Sequence, residues 1–594
     1  MMYLRVHLSA SISLYLTVGC NVFLKATAVG HKIKMKIVEI MKWIILVSLF
    51  LVGGMVKAQH LPQWLEKAVV YQIYPASFKD SDGDGIGDLK GIESQLDYIK
   101  SIGVNTIWIS PVFSSEFFDG GYDVTDFYSV DKRYGTNSQL VSLVQKVHEK
   151  GMKIFMDLVA GHTSDKHPWF LQSKQADKNL QYSDYFIWTP TKAEKPKQFV
   201  ATDCERDGNY MKNFFDCQPA LNYGYANPNP EHPWEQSVDA PGPQAVRREL
   251  KNIISFWMDK GMDGFRVDMA YSLIKNDPKH IETSRLWKGV STWFKEKYPE
   301  GAFIAEWGEP TNSIGGGFHI DFLFHIGRKG YTSLFFNKKK TEDINCYFGL
   351  EGAGQVKQFV EMYQKEYGET KGKGYISLPT SNHDIWRLAC GKRTDLKQLK
   401  VAMTFLLTMP GVPCIYYGDE IGMKYIEGLP DVEDSVLTSR NRAGSRTPMQ
   451  WDGSVNLGFS TAPAEKLYIP VDPAEDAPTV EQQQADENSL LNYVRDVLKL
   501  RDSSKALGNT GDWRMISNVE QPYPLIYLRE ADGERYCVAV NPSAKKVTAK
   551  FPTFNSGKWE IVLGDKKQAK YKGGTTEDCI KMAPVSAVIF KINE

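Results

Sequence analysis

From Trp64 onward, short apolar runs alternate with amphipathic stretches, and this alternation limits the fold more than any other feature of the chain. Ala68 to Tyr74 (A-V-V-Y-Q-I-Y) reads as a strand, and Leu89 to Ile102 carries apolar residues at helical spacing. A second strand (T-I-W-I-S, 106–110), a helix over 139–150 and a third strand (K-I-F-M-D-L-V, 153–159) follow. The rhythm then stops. Residues 161–240 are rich in Asn, Pro, Asp and aromatics without a sustained period, too long for an ordinary loop, which predicts a small inserted domain. Alternation resumes with a helix over 245–260, strands ending at Asp268 and Glu306, and strands over 375–381 and 414–417. Repeated strand–helix units imply a parallel sheet, and eight of them close a barrel. A stretch over 437–486 is again irregular, and a last helix spans 488–501. After Ser504 the pattern changes to short alternating runs such as L-I-Y-L, Y-C-V-A-V and A-V-I-F-K-I. The predicted class is α/β: a (β/α)8 TIM barrel over 59–160 and 241–503, a domain inserted after the third strand over 161–240, and a C-terminal antiparallel β-sandwich over 504–594.

At 594 residues the chain is too long for one compact core. Lys and Arg number 71, balanced by 71 Asp and Glu, and no basic run appears, so nothing favours a nucleic-acid partner. No protein partner is implied either. Residues 1–58 read as a leader. Met41-Lys42 precedes W-I-I-L-V-S-L-F-L-V-G-G-M-V, and V-K-A offers cleavage after Ala58, which predicts export to a periplasmic or extracellular space. A second apolar stretch upstream is superfluous to such a signal. Translation starting at Met35 or Met41 accounts for it; a longer membrane-tethering leader is the alternative. Of eight cysteines, Cys20 lies in the leader, and the rest are too sparse for a disulfide framework. Cys204 and Cys217 are close enough in sequence to pair in an oxidising compartment, and equally compatible with two free thiols.

Three carboxyl residues close apolar runs: Asp268 ends G-F-R-V-D, Glu306 follows A-F-I-A, and Asp384 ends Y-I-S-L-P-T-S-N-H-D. The carboxyl ends of barrel strands are where catalytic groups collect. One such acid is unremarkable; three, each beside a further polar group (Arg266, Trp307, His383), point to one active site. Arg266 lies two residues before Asp268, so strand alternation puts both on one face, where the cation is expected to keep Asp268 ionised.

Four blocks, D-L-V-A-G-H (157–162), G-F-R-V-D (264–268), I-A-E-W (304–307) and S-N-H-D (381–384), stand in the order of the α-amylase family, glycoside hydrolase family 13. Over residues 64–594 the chain resembles that family. Q-P-A-L-N (218–222) and S-R-T-P-M-Q-W-D (445–452) resemble blocks of its oligo-1,6-glucosidase, α-glucosidase and trehalose synthase-like branch, with Ala220 in place of an Asp. The resemblance implies Asp268 as nucleophile, Glu306 as acid/base and Asp384 as the third acid that grips sugar hydroxyls. A retaining glycosidase needs the first two about 5–5.5 Å apart. It further implies that His162 and His383 bind the sugar on the non-reducing side of the cut and that Tyr122 lies under that sugar. Asp119 is expected to meet Arg446, closing the far end of the pocket so that single glucose units are removed.

D-S-D-G-D-G-I-G-D (80–88) sets Asp80, Asp82, Asp84 and Asp88 at near-alternate positions, with the Ile86 carbonyl as a further ligand. This oxygen-rich loop follows EF-hand logic and predicts a structural calcium ion, favoured over magnesium by the density of the cage. Gly161 stands where α-amylases place an Asn that binds their interdomain calcium, so that second metal is not expected. Met269 matches neither residue usual at a position tied to linkage choice, which leaves α-1,4, α-1,6 and α-1,1 preference open. The expected activity is hydrolysis of short α-linked gluco-oligosaccharides or disaccharides through a glycosyl–Asp268 ester. The rival readings are a glucosyl transferase or isomerase such as a trehalose synthase, an endo-acting α-amylase, and a sugar-binding protein without activity.

Overall fold

The strands around the active site are short and buried on both faces, as a sheet covered by helices requires. In the computed structural model, which describes residues 61–323, 329–335, 346–430, 432–433, 441–553 and 557–593, eight of them form one parallel sheet. In chain order they are β1 (Val70–Ile73), β2 (Thr106–Ile109), β3 (Lys153–Leu158), β4 (Gly264–Val267), β5 (Ala302–Ala305), β6 (Ile320–Phe322), β7 (Tyr375–Ser377) and β8 (Cys414–Tyr416). Each pairs with its neighbours in sequence, and β1 pairs with β8. A bridge between Pro379 and Cys414, with Val412 N–H donating to Ile376 O at 2.9 Å, closes β7 onto β8. The structure is therefore the (β/α)8 barrel that the alternation predicts. β6 is the strand the sequence reading did not pick out. It is three residues long and carries Asp321 between its two apolar residues.

The helices outside the sheet are held by ordinary devices. Thr136 caps the helix Asn137–Glu149 by accepting from Gln139 N, and Leu140, Leu143, Val144 and Val147 form its buried stripe. The stretch over 89–102, read as one helix, is two, Leu89–Ser94 and Leu96–Ile102, broken at Gln95. Gly264 is fixed by crowding: a Cβ there would stand 1.9 Å from the Ala302 carbonyl oxygen of the next strand. That close approach brings Arg266 and Asp268 beside Glu306.

Between β3 and the helix Pro241–Met258 lies the irregular insert. It contains the helix Pro168–Ser173 and a two-stranded ribbon, Phe199–Val200 with Tyr210–Met211. Ile187, Met211, Ala220 and Tyr225 form a small apolar cluster within it. Leu221 N–H donates to Gly161 O at 3.0 Å and the Tyr223 hydroxyl to Ala160 O at 2.8 Å, tying the insert to the end of β3.

Beyond the helix Leu490–Asp502 come eight antiparallel strands, β9 (Asp512–Met515), β10 (Leu525–Ala531), β11 (Glu534–Asn541), β12 (Val547–Pro552), β13 (Lys558–Leu563), β14 (Ala569–Lys572), β15 (Glu577–Met582) and β16 (Ser586–Asn593). Five make one sheet and β12, β15 and β14 another. Ile526, Cys537 and Phe590 of the first pack on Phe551, Ile580 and Met582 of the second, a sandwich core. Buried Arg529 secures it to the barrel by donating to Thr408 O, at the end of the barrel helix Leu396–Thr408. The leader and its cleavage position lie outside the described residues. Cys204 and Cys217 are both free thiols.

Candidate active site

The carboxyl ends of the strands deliver the acids to one place. Arg266, on β4, is 2% exposed and organises them. Its Nη1 lies 2.7 Å from Asp157 Oδ1 and 3.0 Å from Asp268 Oδ1, and its Nη2 lies 2.7 Å from Glu306 Oε2. One guanidinium thus serves three carboxyls. The Met269 N–H adds a hydrogen bond to Glu306 Oε2 at 2.8 Å, made possible by a left-handed backbone at Met269 (φ 41°). A non-glycine residue held there, between two catalytic candidates, is strain stored at a working site.

The sharing changes the expected electrostatics. Arg266 was expected to keep Asp268 ionised. Instead burial, and next the charge of Glu306, push Asp268 well above the ordinary carboxylate range, with Arg266 opposing. Burial likewise pushes Asp157 up to about 6 against the pull of Arg266. Two buried acids, Asp157 and Asp268, and the partly buried Glu306 around one cation disfavour one another's ionisation, so the cluster favours keeping a proton.

Asp384 behaves oppositely. Burial favours its neutral form, but His383, Arg442 and Arg446 outweigh burial and hold the carboxyl well below the usual range. Arg442 Nη1 lies 2.8 Å and Arg446 Nη2 3.2 Å from Asp384 Oδ1.

Asp119 and Arg446 are both at this end of the pocket, but they do not pair. Asp119 takes Arg442 Nη2 at 2.5 Å and Gln218 Nε2 at 2.8 Å. Arg446 instead binds Glu433, donates to Tyr74 Oη at 3.3 Å, and donates from Nε to His383 O at 2.9 Å. Arg442 and Arg446 stand four residues apart around a short 3-10 turn, Ala443–Ser445, so both reach the same acids. Glu433 also accepts from Tyr74 Oη at 2.5 Å and Tyr468 Oη at 2.6 Å, and these partners with both arginines pull it down to about 2 in spite of burial.

The histidines are neutral: burial pushes His162 and His383 each down to about 3. Gln72 Nε2 lies 2.9 Å from His383 Nδ1, so Nε2 carries the proton toward Tyr122 Oη at 2.8 Å, and Tyr122 in turn donates to Asp157 Oδ2 at 3.0 Å. The Tyr122 ring stacks on His383 at 5.4 Å between centroids and 7° between planes. His162 receives Asn213 Nδ2 on Nδ1 at 3.1 Å and donates from Nε2 to Tyr122 O at 3.1 Å.

Gln72, Tyr74, Asp157, Gln218, Glu433 and Arg442 are pocket residues that the sequence reading did not assign. Asp157 and Gln218 lie inside blocks it quoted. Opposite Gly161, the half-buried Lys275 places its ammonium 3.1 Å from Asn213 Oδ1 and 2.7 Å from Ser272 O. A cation from the chain itself thus joins the insert to the barrel. A Cβ at Gly161 would come within 2.8 Å of Asn213 Nδ2.

The acidic loop brings Asp80, Asp82 and Asp88 together, with one oxygen of each lying within 4.8 Å of the others. Asp84 stands outside that group and its carboxylate accepts from Ile86 N at 2.8 Å. Asp80 accepts from the N–H groups of Asp82, Gly83 and Gly85 at 3.0, 2.8 and 2.9 Å. Asp88 caps the following helix through Gly91 N at 2.8 Å. Among the described residues no Lys, Arg or His forms an ion pair with Asp80, Asp82, Asp84 or Asp88. Three converging carboxylates without a counter-charge fit a hard divalent cation.

A barrel that gathers Asp268 and Glu306 on one arginine, with Asp384 nearby, is the arrangement a glycoside hydrolase requires. Residues 72–510 match the α-amylase catalytic domain model, and the chain belongs to the α-amylase family. It is 32% identical over 569 residues to an oligo-1,6-glucosidase of Heyndrickxia coagulans, covering 85% of this chain and 96% of that one. It is 32% identical over 513 residues to the trehalose synthase/amylase of Mycolicibacterium smegmatis (strain ATCC 700084 / mc(2)155), covering 79% and 80%. Among solved structures, a mutant isomaltulose synthase of Erwinia rhapontici NX5 in complex with D-glucose superposes with a TM-score of 0.72 at 25% identity, covering 90% of this chain and all of that one.

Proposed function

We propose that this enzyme is a retaining α-glucosidase that takes single glucose units from the non-reducing ends of short α-gluco-oligosaccharides. The observation that carries this reading is the single guanidinium of Arg266 bridging Asp268 and Glu306, beside a pocket end spanned by the Asp119–Arg442 pair. The terminal glucose would lie along Tyr122, with hydroxyls toward His162, His383 and Asp384. Asp384, kept anionic by its two arginines, would bind vicinal hydroxyls and favour ring flattening. Glu306, as the acid, would hand a proton to the leaving oxygen as Asp268 attacks the anomeric carbon. Water then enters; Glu306 takes its proton, and the ester breaks with retention.

The relatives named oligo-1,6-glucosidase support preference for α-1,6 bonds. A second reading, transfer of the glucosyl group to another sugar, is supported by the relatives named trehalose synthase and the neighbours named isomaltulose and trehalulose synthase. Incubation with maltose, isomaltose, trehalose, sucrose and starch separates them. Hydrolysis predicts free glucose, fastest from isomaltose, with starch left long; a new disaccharide from maltose or sucrose would replace this reading with the second.

Calcium at Asp80, Asp82 and Asp88 is part of the proposal, bracing the first strand-to-helix connection. Export is a further part, supported by the apolar run before Ala58; N-terminal sequencing of the mature protein, expected to begin at Gln59, checks it.

A further inference from the structure

Glu306 is held from two sides, and the chemistry above accounts for one of them. Toward β4 its N–H donates to Val267 O at 3.0 Å, its carbonyl accepts from Ala270 N at 3.1 Å, and its carboxyl meets Arg266 and the Met269 N–H. Toward β6 the anchor is Asp321, which is wholly buried. Asp321 Oδ1 accepts from Trp307 N at 3.1 Å and Gly308 N at 3.2 Å. Its Oδ2 accepts from Glu309 N at 3.0 Å and Ser313 Oγ at 2.8 Å. The three residues that directly follow Glu306 thus all give their N–H groups to one carboxyl.

Local structure explains how they converge. Ala305 is level with Asp321 in the β5–β6 ladder, so the chain leaves β5 beside that carboxyl. Gly308 takes a left-handed φ of 74°, which turns the successive N–H groups to the inside of one bend. Pro310 then opens the short helix Pro310–Gly315, whose Ser313 supplies the fourth donor. A bend of this kind makes a concave anion site, and here the chain fills it with its own acid.

Packing alone does not call for an acid there. Among the described residues no Lys, Arg or His forms an ion pair with Asp321, and burial pushes its carboxyl up to about 8 in spite of the four donors. A carboxyl at that depth works against the fold. What it offers in return is two acceptor oxygens in one plane. An amide offers one, and its NH2 group would face an N–H or O–H that needs an acceptor.

We propose that Asp321 is a positioning residue for the acid step: by pinning the main chain from Trp307 to Glu309, it keeps the Glu306 carboxyl aimed at the leaving oxygen. The inference rests on the glucosidase reading. Arg266 grips the carboxyl of Glu306 and Asp321 grips the backbone behind it. Loss of Asp321 therefore leaves the shared guanidinium in place and lets the acid drift. A misplacement of about 1 Å is enough to weaken proton transfer while the attack by Asp268 is left intact.

The test compares kcat/KM for isomaltose, whose sugar leaving group needs a proton, with that for α-glucosyl fluoride, whose fluoride needs far less help. In Asp321→Asn the isomaltose-to-fluoride ratio is expected to fall about tenfold, a part of what general acid catalysis supplies. Any fall beyond twofold supports the proposal. A ratio within twofold of the parent's or above it, equal losses on both substrates included, makes Asp321 a residue of the fold alone and overturns the proposal. If that variant fails to fold, Gly308→Ala decides by the same ratio and threshold, because it strains the left-handed bend and leaves the carboxyl in place. A parent inactive on both substrates overturns the glucosidase reading and the proposal with it; an active parent whose ratio does not respond overturns the proposal alone.

Discussion

The pocket around Arg266 and the loop at 80–88 each gather three carboxylates, yet among the described residues only the pocket brings cations of its own. Asp157, Asp268 and Glu306 share a buried guanidinium, and Asp384 has two more arginines beside it. Asp80, Asp82 and Asp88 have backbone N–H groups and hydroxyls but, among the described residues, no charged partner. The difference follows from what each must do. A guanidinium is permanently charged and fixed, so it sets how protons divide among acids without leaving the site. An acidic loop that depends on backbone dipoles stays electrostatically incomplete, which leaves room for a metal whose removal should cost stability and not chemistry.

Several experiments would break or sharpen that contrast. The largest effect is expected from Asp268→Asn, which should lower kcat on α-glucosyl fluoride by at least about a thousandfold through loss of the nucleophile. Residual activity within tenfold of the parent would remove Asp268 from that role. Arg266→Lys keeps a charge but cannot bridge two carboxyls, and kcat should fall on the order of a hundredfold. The parent's kcat/KM should be bell-shaped with pH. Activity is lost at low pH as Asp268, whose proton is held tightly, fills with a proton, and at high pH as the cluster gives up the proton that the leaving group needs. In Arg266→Lys both limbs should move; an unmoved profile would argue that the arginine does not set the shared proton.

Glu433 tests the pocket's own ion pairs. Its carboxyl is lowered from 4.5 to about 2 on folding, so its contribution is fully present above pH 4.5 and lost as pH falls toward 2. That shift corresponds to about 3 kcal/mol. Glu433→Gln leaves Arg446 buried without its main anion, which should cost about 3–5 kcal/mol at pH 7 and flatten the acid limb of urea stability. In the loop, a chelator should lower the melting temperature by about 5 °C, with calcium restoring it better than magnesium, and Asp82→Ala should abolish the response while kcat changes less than about twofold. The smallest effect is expected from Asp84→Asn. Its carboxylate stands outside the converging group, and stability should change by less than about 0.5 kcal/mol.

Much of this was readable from residue order. Asp268 and Glu306 each directly follow a buried strand, Asp384 follows one seven residues on, and the short apolar runs of those strands are their physical signature. β6 was not readable because three residues, one of them a buried Asp, carry no period. Arg442 was hidden for a related reason. It lies in an aperiodic turn, and its place four residues before Arg446 makes two arginines equally able to meet Asp119. Only the turn's geometry assigns one to Asp119 and the other to Glu433. The shared proton was also beyond reach, because strand alternation shows that Arg266 neighbours Asp268 but not that it serves Asp157 and Glu306 as well.

The Asp119–Arg442 bridge has a consequence for which molecules the enzyme can attack at all. A blind-ended cleft on this reading must be entered by a chain terminus. Cyclic glucans, having no terminus, would pass untouched, and a highly branched polymer would be consumed in proportion to its number of tips and not its mass.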